Sequence, residues 1–200
     1  MNILKYSVLS VTSLLLAGCF MASKSEIVHK NTPYNPQAEA KIRIYGPYGR
    51  SIIRDYPQTS CEQWSSTKAK RAHTRMIVGL PKKIRNQSVG MPDTQRSVAA
   101  NNDTGTVFRD TYRELVIPAG STLVLDGADV IQGGIRKRTC RTAAVFTPQA
   151  GKNYEASFRW LDSGCEVVVA EILSSNVTPA TEHPTREITT TSCDKPSTSF

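Results

Sequence analysis

The sequence predicts an all-β protein: an antiparallel β-sandwich of about seven or eight strands spanning residues 40–173. Short runs in which apolar and polar residues alternate recur along this range, as at Ile42 and Ile44 between polar neighbours. Turn-forming residues separate these runs, as in 118–120 (Pro-Ala-Gly) and 162–164 (Asp-Ser-Gly).

The first half of the domain is predicted to open with two strands. Lys41–Tyr45 and Ser51–Tyr56 flank a Gly-Pro-Tyr-Gly turn, so we expect them to form a hairpin. Trp64 is expected to cover the edge of the core, because its ring is seldom left exposed. Residues 65–75 form either a short solvated helix or a loop, and Met76–Leu80 is predicted to be a buried strand.

The middle of the chain is predicted to hold a long loop and a second strand pair. Residues 86–105 are rich in Asn, Ser, Asp, Gly and Pro and have no period, which indicates a surface loop. Phe108–Ile117 alternates like a strand, and Ser121–Leu125 returns after the Pro-Ala-Gly turn. Asp126-Gly127 is expected to end that strand, and Gly133-Gly134 is interpreted as a kink between strands.

The clearest strand pattern comes last. We predict a three-stranded meander formed by Thr142–Phe146, Asn153–Trp160 and Cys165–Leu173. Outside the sandwich, residues 19–39 read as a flexible tether, whose expected role is to hold the domain off the membrane surface, and residues 174–200 as a Ser/Thr-rich flexible tail.

Four cysteines follow Cys19, an even number that is typical of an exported protein with disulfides. Four cysteines allow three pairings. We favour Cys140 with Cys165, because the segment between them resembles a compact strand pair, and Cys61 with Cys193 by elimination. A zinc site is the alternative, although the spacings are long and no Cys-x-x-Cys occurs.

The amino terminus carries an export signal. Lys5 precedes an apolar run, Val8–Leu16, that is too short to span a bilayer but suits a signal-peptide core, so residues 1–18 are predicted to be removed. Leu16-Ala17-Gly18-Cys19 resembles a bacterial lipobox. The resemblance implies acyl chains on Cys19, and Phe20 in place of Asp implies sorting to the outer membrane, facing the periplasm or the surface. An ordinary secretory signal with a chance cysteine is the alternative.

A second resemblance lies in the globular part. The run Phe146–Tyr154 (Phe-Thr-Pro-Gln-Ala-Gly-Lys-Asn-Tyr) resembles a recurring feature of small uncharacterised proteobacterial lipoproteins with β-sandwich domains. The resemblance covers about thirty residues. It implies a sandwich fold and implies no activity.

The net charge of the chain limits the chemical class of partner that we expect. The formal net charge is +8, and an exported basic domain meets lipid phosphates, lipopolysaccharide, cell-wall carboxylates or acidic polymers rather than nucleic acid. Charge that merely keeps a tethered domain soluble is the competing interpretation. The candidate anion-binding residues form three basic clusters: Lys68, Lys70, Arg71 and Arg75; Lys82, Lys83 and Arg85; Arg136, Lys137, Arg138 and Arg141.

No catalytic residue, cofactor or metal ion is predicted. The histidines are His29 in the tether, His73 in a basic stretch and His183 in the tail, so His73 is the one plausible general base. Asp126 and Asp129 are interpreted as turn residues. The sequence therefore favours a membrane-anchored envelope protein with a binding or structural role, and the expected partner is another protein or an anionic envelope polymer. A cell-wall or lipid hydrolase using His73 is the alternative.

Overall fold

The computed structural model describes residues 24–47, 51–73, 85–105, 109–133, 136–174 and 182–193. Their architecture is a β-sandwich, which confirms the predicted fold class. The strands are β1 (Glu26–His29), β2 (Glu39–Pro47), β3 (Ser51–Pro57), β4 (Arg71–His73), β5 (Arg85–Ser88), β6 (Asp110–Pro118), β7 (Leu123–Gly133), β8 (Arg136–Phe146), β9 (Asn153–Leu161), β10 (Gly164–Ile172), β11 (Thr185–Glu187) and β12 (Thr191–Cys193), and the helix is α1 (Gln95–Asn102).

Two sheets face each other. One has seven strands in the order β1-β5-β6-β2-β9-β10-β11, and the other has five in the order β12-β8-β7-β3-β4. Seven of the strands have seven or more residues, and the five others, β1, β4, β5, β11 and β12, have only three or four. The short strands extend the sheets beyond the seven or eight strands expected from the sequence. No helix among the described residues is long and apolar enough to span a bilayer.

The core lies between the sheets and follows the predicted alternation. Ile42 and Ile44 of β2 belong to the same apolar cluster as Leu123 and Leu125 of β7, and each is almost fully buried. Burial of such a side chain contributes about 1.5–3 kcal/mol. The two sheets approach closely at Gly127, where an added Cβ would lie 2.8 Å from both a Phe158 and a Val167 carbon.

The predicted hairpins are wrong at three connections. Strands β2 and β3 do not pair with each other, because β2 belongs to the seven-stranded sheet and β3 to the five-stranded sheet. The same separation applies to β6 and β7, joined through Gly120 at a φ of 73°, and to β8 and β9. A turn that carries the chain across a sandwich and a turn that closes a hairpin use the same residues, so local sequence does not distinguish them.

Consequently the predicted meander is divided between the sheets. Strands β9 and β10 pair antiparallel from Leu161↔Gly164 to Asn153↔Ile172, as expected. Strand β8 pairs instead with β7 and β12. The disulfide between Cys140 of β8 and Cys165 of β10 therefore links the two sheets.

Strand β7 does not end at Asp126-Gly127. It continues to Gly133, and β8 begins at Arg136, six residues before the predicted start at Thr142. The polar residues tolerate strand geometry because the buried Asp126 carboxylate is paired with arginines rather than with turn backbone. The interpretation of Asp126 and Asp129 as turn residues is therefore wrong.

Residues 86–105 are not a simple surface loop. They contain part of β5 and the helix α1, which begins after Thr94 with a capping box formed by Thr94 and Ser97. Asn86, Ser88 and Ser97 are buried. The prediction was wrong because these polar side chains form hydrogen bonds with other parts of the fold. Local composition contains no information about such partners.

Both predicted flexible ends contribute strands. Strand β1, inside the predicted tether, pairs parallel with β5, whereas β11 and β12, inside the predicted tail, pair with β10 and β8. The second predicted disulfide, Cys61–Cys193, fastens β12 to the segment after β3. Both disulfide predictions are confirmed. The predicted strand Met76–Leu80 lies outside the described residues.

Candidate anion-binding surface

The eleven predicted cations do not form one patch. Lys68 and Lys70 are exposed on residues 58–70, the segment that covers the outer face of the five-stranded sheet, and Arg141 lies on that face. Arg85 lies in the other sheet, where its Nε donates to Glu26 Oε2 at 3.0 Å. Arg138 is exposed elsewhere, above the Trp160 ring.

For the other predicted cations, the described part of the structure includes the backbone at most. Arg71, Arg136 and Lys137 belong to strands β4 and β8, and their side chains lie outside the described part of the structure, as does that of His73 in β4. Arg75, Lys82, Lys83 and the predicted lipidation residue Cys19 lie outside it altogether.

Asp126 organises the outer face of the five-stranded sheet. Arg141 donates from Nε to Asp126 Oδ1 at 2.8 Å and from Nη2 to Oδ2 at 2.9 Å, a bidentate geometry. Arg54 donates from Nη1 to Oδ2 at 3.1 Å. The hydrogen bond with Asp126 raises the pKa of Arg141. Because one carboxylate meets two guanidinium groups, the cluster carries a net positive charge.

Trp64 holds this arrangement in place. The ring is buried, packs edge-on against Tyr56 with centroids 5.9 Å apart, and lies 5.0 Å from the Arg141 guanidinium. Burial raises the pKa of Tyr56. The Cys61–Cys193 disulfide and a hydrogen bond from Lys70 N to the Asp55 carbonyl tie the segment down at either side of Trp64. Trp64 therefore covers the outer face of a sheet rather than an edge of the main core. We call the surface formed by Arg54, Arg141, Lys68 and Lys70 the basic face.

Charge is distributed unequally between the sheets. By sequence, the strands of the five-stranded sheet carry six Arg or Lys against three Asp or Glu, and Lys68 and Lys70 are added by the covering segment, which also contains Glu62. The strands of the seven-stranded sheet carry six Arg or Lys against eight Asp or Glu. Three of the six cations in the five-stranded sheet, Arg136, Lys137 and Arg138, lie at the start of β8 and outside the basic face, so the excess of positive charge is a property of this sheet as a whole.

A buried ionic cluster on the outer face of the seven-stranded sheet was not foreseen. Arg43 donates to Glu114 Oε1 at 2.6 Å and to Glu155 Oε1 at 2.8 Å, and the same Glu155 oxygen accepts from Tyr45 at 2.6 Å and Thr94 at 2.7 Å. Burial alone would lower the pKa of Arg43, but its acidic surroundings raise that pKa above the ordinary value. Burial raises the pKa of Tyr45. The cluster fastens residues 88–94 to the sheet and leaves little room for a ligand.

A cavity of about 600 Å³ opens at one end of the sandwich. Phe146 and Tyr154 form its apolar wall with ring centroids 5.3 Å apart. Its carboxylate, Glu171, accepts from Lys152 Nζ at 2.6 Å and from Arg186 Nη2 at 3.2 Å. The Lys152 hydrogen bond lowers the pKa of Glu171. No histidine is found among the described residues that line the cavity.

Asp129 and His183 also differ from their predicted settings, a turn and a flexible tail. Asp129 accepts from Trp160 Nε1 at 2.8 Å across the sheets, and His183 Nδ1 lies 3.0 Å from the Leu173 carbonyl oxygen. Within the described ranges, no group of three or more His, Cys, Asp or Glu residues could hold a metal ion.

The fold and the site together define a disulfide-linked β-sandwich with a basic face on its smaller sheet. No protein-family model, curated protein or solved structure matches the chain.

Proposed function

We propose that the chain is a lipoprotein of the bacterial outer membrane, anchored by acyl chains on Cys19, whose sandwich domain binds an anionic envelope polymer through the basic face without catalysing a reaction. The lipobox supports the anchor, and the two disulfides fit an oxidising compartment outside the cytoplasm. The observation that carries the binding role is the excess of cations on the five-stranded side of the sandwich.

The geometry favours recognition of phosphate or carboxylate groups. The buried Asp126 and the Trp64 ring hold Arg141, and Arg54 shares the same carboxylate, so two guanidinium groups are preorganised beside each other. Guanidinium groups suit planar bidentate contacts with oxyanions. Lys68 and Lys70 add exposed positive charge close along the chain to Trp64. Preorganisation lowers the conformational entropy lost on binding.

The binding role is tested with Lys68→Glu/Lys70→Glu in the full chain. Purified peptidoglycan sacculi offer carboxylates and lipopolysaccharide offers phosphates, so sedimentation with each separates the two sources of the anion. We expect at least a tenfold loss of binding to the preferred polymer. Lys30→Glu/Arg85→Glu changes the charge equally on the seven-stranded side and should retain binding. Equal losses in both variants would contradict a localised site.

The anchor has a separate test. Mass spectrometry of the amino-terminal peptide should show an acylated Cys19 as the first residue, and Cys19→Ser should abolish labelling by an alkyne-tagged fatty acid. An unmodified cysteine in a mature chain that has lost residues 1–18 would contradict lipidation, whatever the outcome of the sedimentation experiment.

A further inference from the structure

One end of the sandwich is where the chain leads back towards Cys19. Strands β1, β5 and β6 run parallel, β2 runs antiparallel to β6, and β9 runs parallel to β2. The start of β1 at Glu26 therefore lies at the same end of the seven-stranded sheet as the end of β9 at Leu161. We call this the tether end.

The five-stranded sheet places a basic hairpin at the same end. Asp129 of β7 meets Trp160 of β9 in a 2.8 Å hydrogen bond, so Asp129 lies level with the end of β9. Beyond Asp129, β7 continues four residues to Gly133, which pairs with Arg136 of β8. At about 3.3 Å per residue, these strands project roughly 13 Å past the level of Trp160.

The tether end has positively charged residues in its sequence and an exposed apolar surface. By sequence, residues 130–139 contain three cations, Arg136, Lys137 and Arg138, and no carboxylate. Arg138 is exposed with its guanidinium 4.9 Å from the partly exposed Trp160 ring, and Leu161 beside it is 44% exposed. Tryptophan with nearby Lys or Arg is typical of membrane interfaces, where the ring sits among headgroups and the cations meet anionic lipid.

The length of the tether requires this end to lie near the bilayer. Ser25 is buried and Lys24 Nζ donates to Asn102 Oδ1 at 2.9 Å, so the ordered domain already includes Lys24. Four residues lie between Cys19 and Lys24, so the two Cα atoms are five steps apart along the chain, a span of at most about 18 Å. This is close to the 13 Å by which the hairpin projects, so a domain anchored at Cys19 brings the hairpin within reach of the headgroups. The expectation was a flexible tether over residues 19–39 that holds the domain off the membrane surface, whereas β1 and the buried Ser25 lie inside this range.

We propose that the tether end docks on anionic phospholipid headgroups of the membrane that holds Cys19. The inference rests on the proposed lipid anchor and adds the orientation of the domain. The cavity, lined by Phe146 at the end of β8 and Tyr154 near the start of β9, then opens away from the bilayer.

The experiment uses the lipidated full-length protein in vesicles. One set contains phosphatidylethanolamine with 25 mol% phosphatidylglycerol, the other contains phosphatidylcholine alone, and both carry a brominated lipid that quenches tryptophan. The Trp160 signal is the difference between the protein and its Trp160→Phe variant. Flotation of the vesicles measures anchoring independently of docking. Arg136→Gln/Lys137→Gln removes two charges at the hairpin, and Lys68→Gln/Lys70→Gln removes two from the basic face.

We expect quenching of Trp160 in the phosphatidylglycerol vesicles that falls at least twofold in phosphatidylcholine, in high salt and in Arg136→Gln/Lys137→Gln. Lys68→Gln/Lys70→Gln should keep it. A protein that floats with the vesicles while Trp160 stays unquenched would overturn the docking and leave the anchor intact, as expected if this end met a protein partner instead. Equal losses in the two double variants would also overturn it. A protein that fails to float contradicts the anchor and the docking together.

Discussion

Glu114→Gln tests how the outer segment is fixed to the seven-stranded sheet. Glu114 Oε1 accepts from Arg43, and Oε2 accepts from Ser88 Oγ at 2.8 Å, from Val89 N at 2.7 Å and from Met91 N at 3.2 Å. A glutamine removes the charge opposite Arg43 and places an amide donor against one of these two sets of donors. A single substitution therefore weakens the ion pair and disrupts the attachment of residues 88–91.

The expected loss of unfolding free energy follows from the burial of the ion pair. The Arg43 and Glu114 side chains are each 1% exposed, and removal of one partner of a buried ion pair costs about 3–5 kcal/mol. Glu155 still accepts from Arg43 at 2.8 Å and compensates part of the charge. We therefore expect a loss near the lower limit, about 3 kcal/mol, which is a large part of the 5–15 kcal/mol typical of a domain.

Urea unfolding of the full chain measures this loss. Hydrogen exchange at the amides of Val89 and Met91 should accelerate more than exchange in β9, because a glutamine has one side-chain oxygen and cannot accept both from Arg43 and from these amides. Glu26→Gln breaks the exposed pair with Arg85 and should cost less than about 1 kcal/mol. A loss below about 1 kcal/mol for Glu114→Gln, with exchange unchanged at the two amides, would refute the assignment of this cluster as the fastening of the segment.

Two further predictions concern packing and pH. Gly127→Ala should destabilise the sandwich by about 1–3 kcal/mol in thermal unfolding, because its Cβ would lie 2.8 Å from Phe158; Gly164→Ala, with open space around its Cβ, is the control, and equal effects would contradict a close approach of the sheets. The Lys152 hydrogen bond lowers the pKa of Glu171 below its ordinary 4.5, so the stabilisation it gives is present above pH 4.5 and is lost as the pH falls through the lowered pKa. The difference in stability between the chain and Glu171→Gln should shrink over that range, and a difference independent of pH would count against it.

The basic face could be predicted only in part. Lys68, Lys70 and Arg141 were identified because cations cluster along the chain. Arg54 gave no such signal, since its place beside Asp126 depends on the register in which β3 pairs with β7. Arg85 was grouped with the other cations by sequence proximity, yet β5 lies in the opposite sheet. Nearness along the chain therefore identified charged segments without identifying which of them share a surface.

The sequence by itself determined the features that depend on residues close together along the chain. The alternation around Ile42 and Ile44 and the turns were enough for an all-β sandwich, and the strand pair expected between Cys140 and Cys165 was enough to select the pairing of both disulfides. Only the tertiary structure decided to which sheet each strand belongs. Strands of both sheets bury one face, so they have the same alternation, and a turn that connects the two sheets has the same residues as a turn that closes a hairpin. It also decided the pairing of Asp126 with Arg54, since a contact across 72 residues depends on how the whole chain packs.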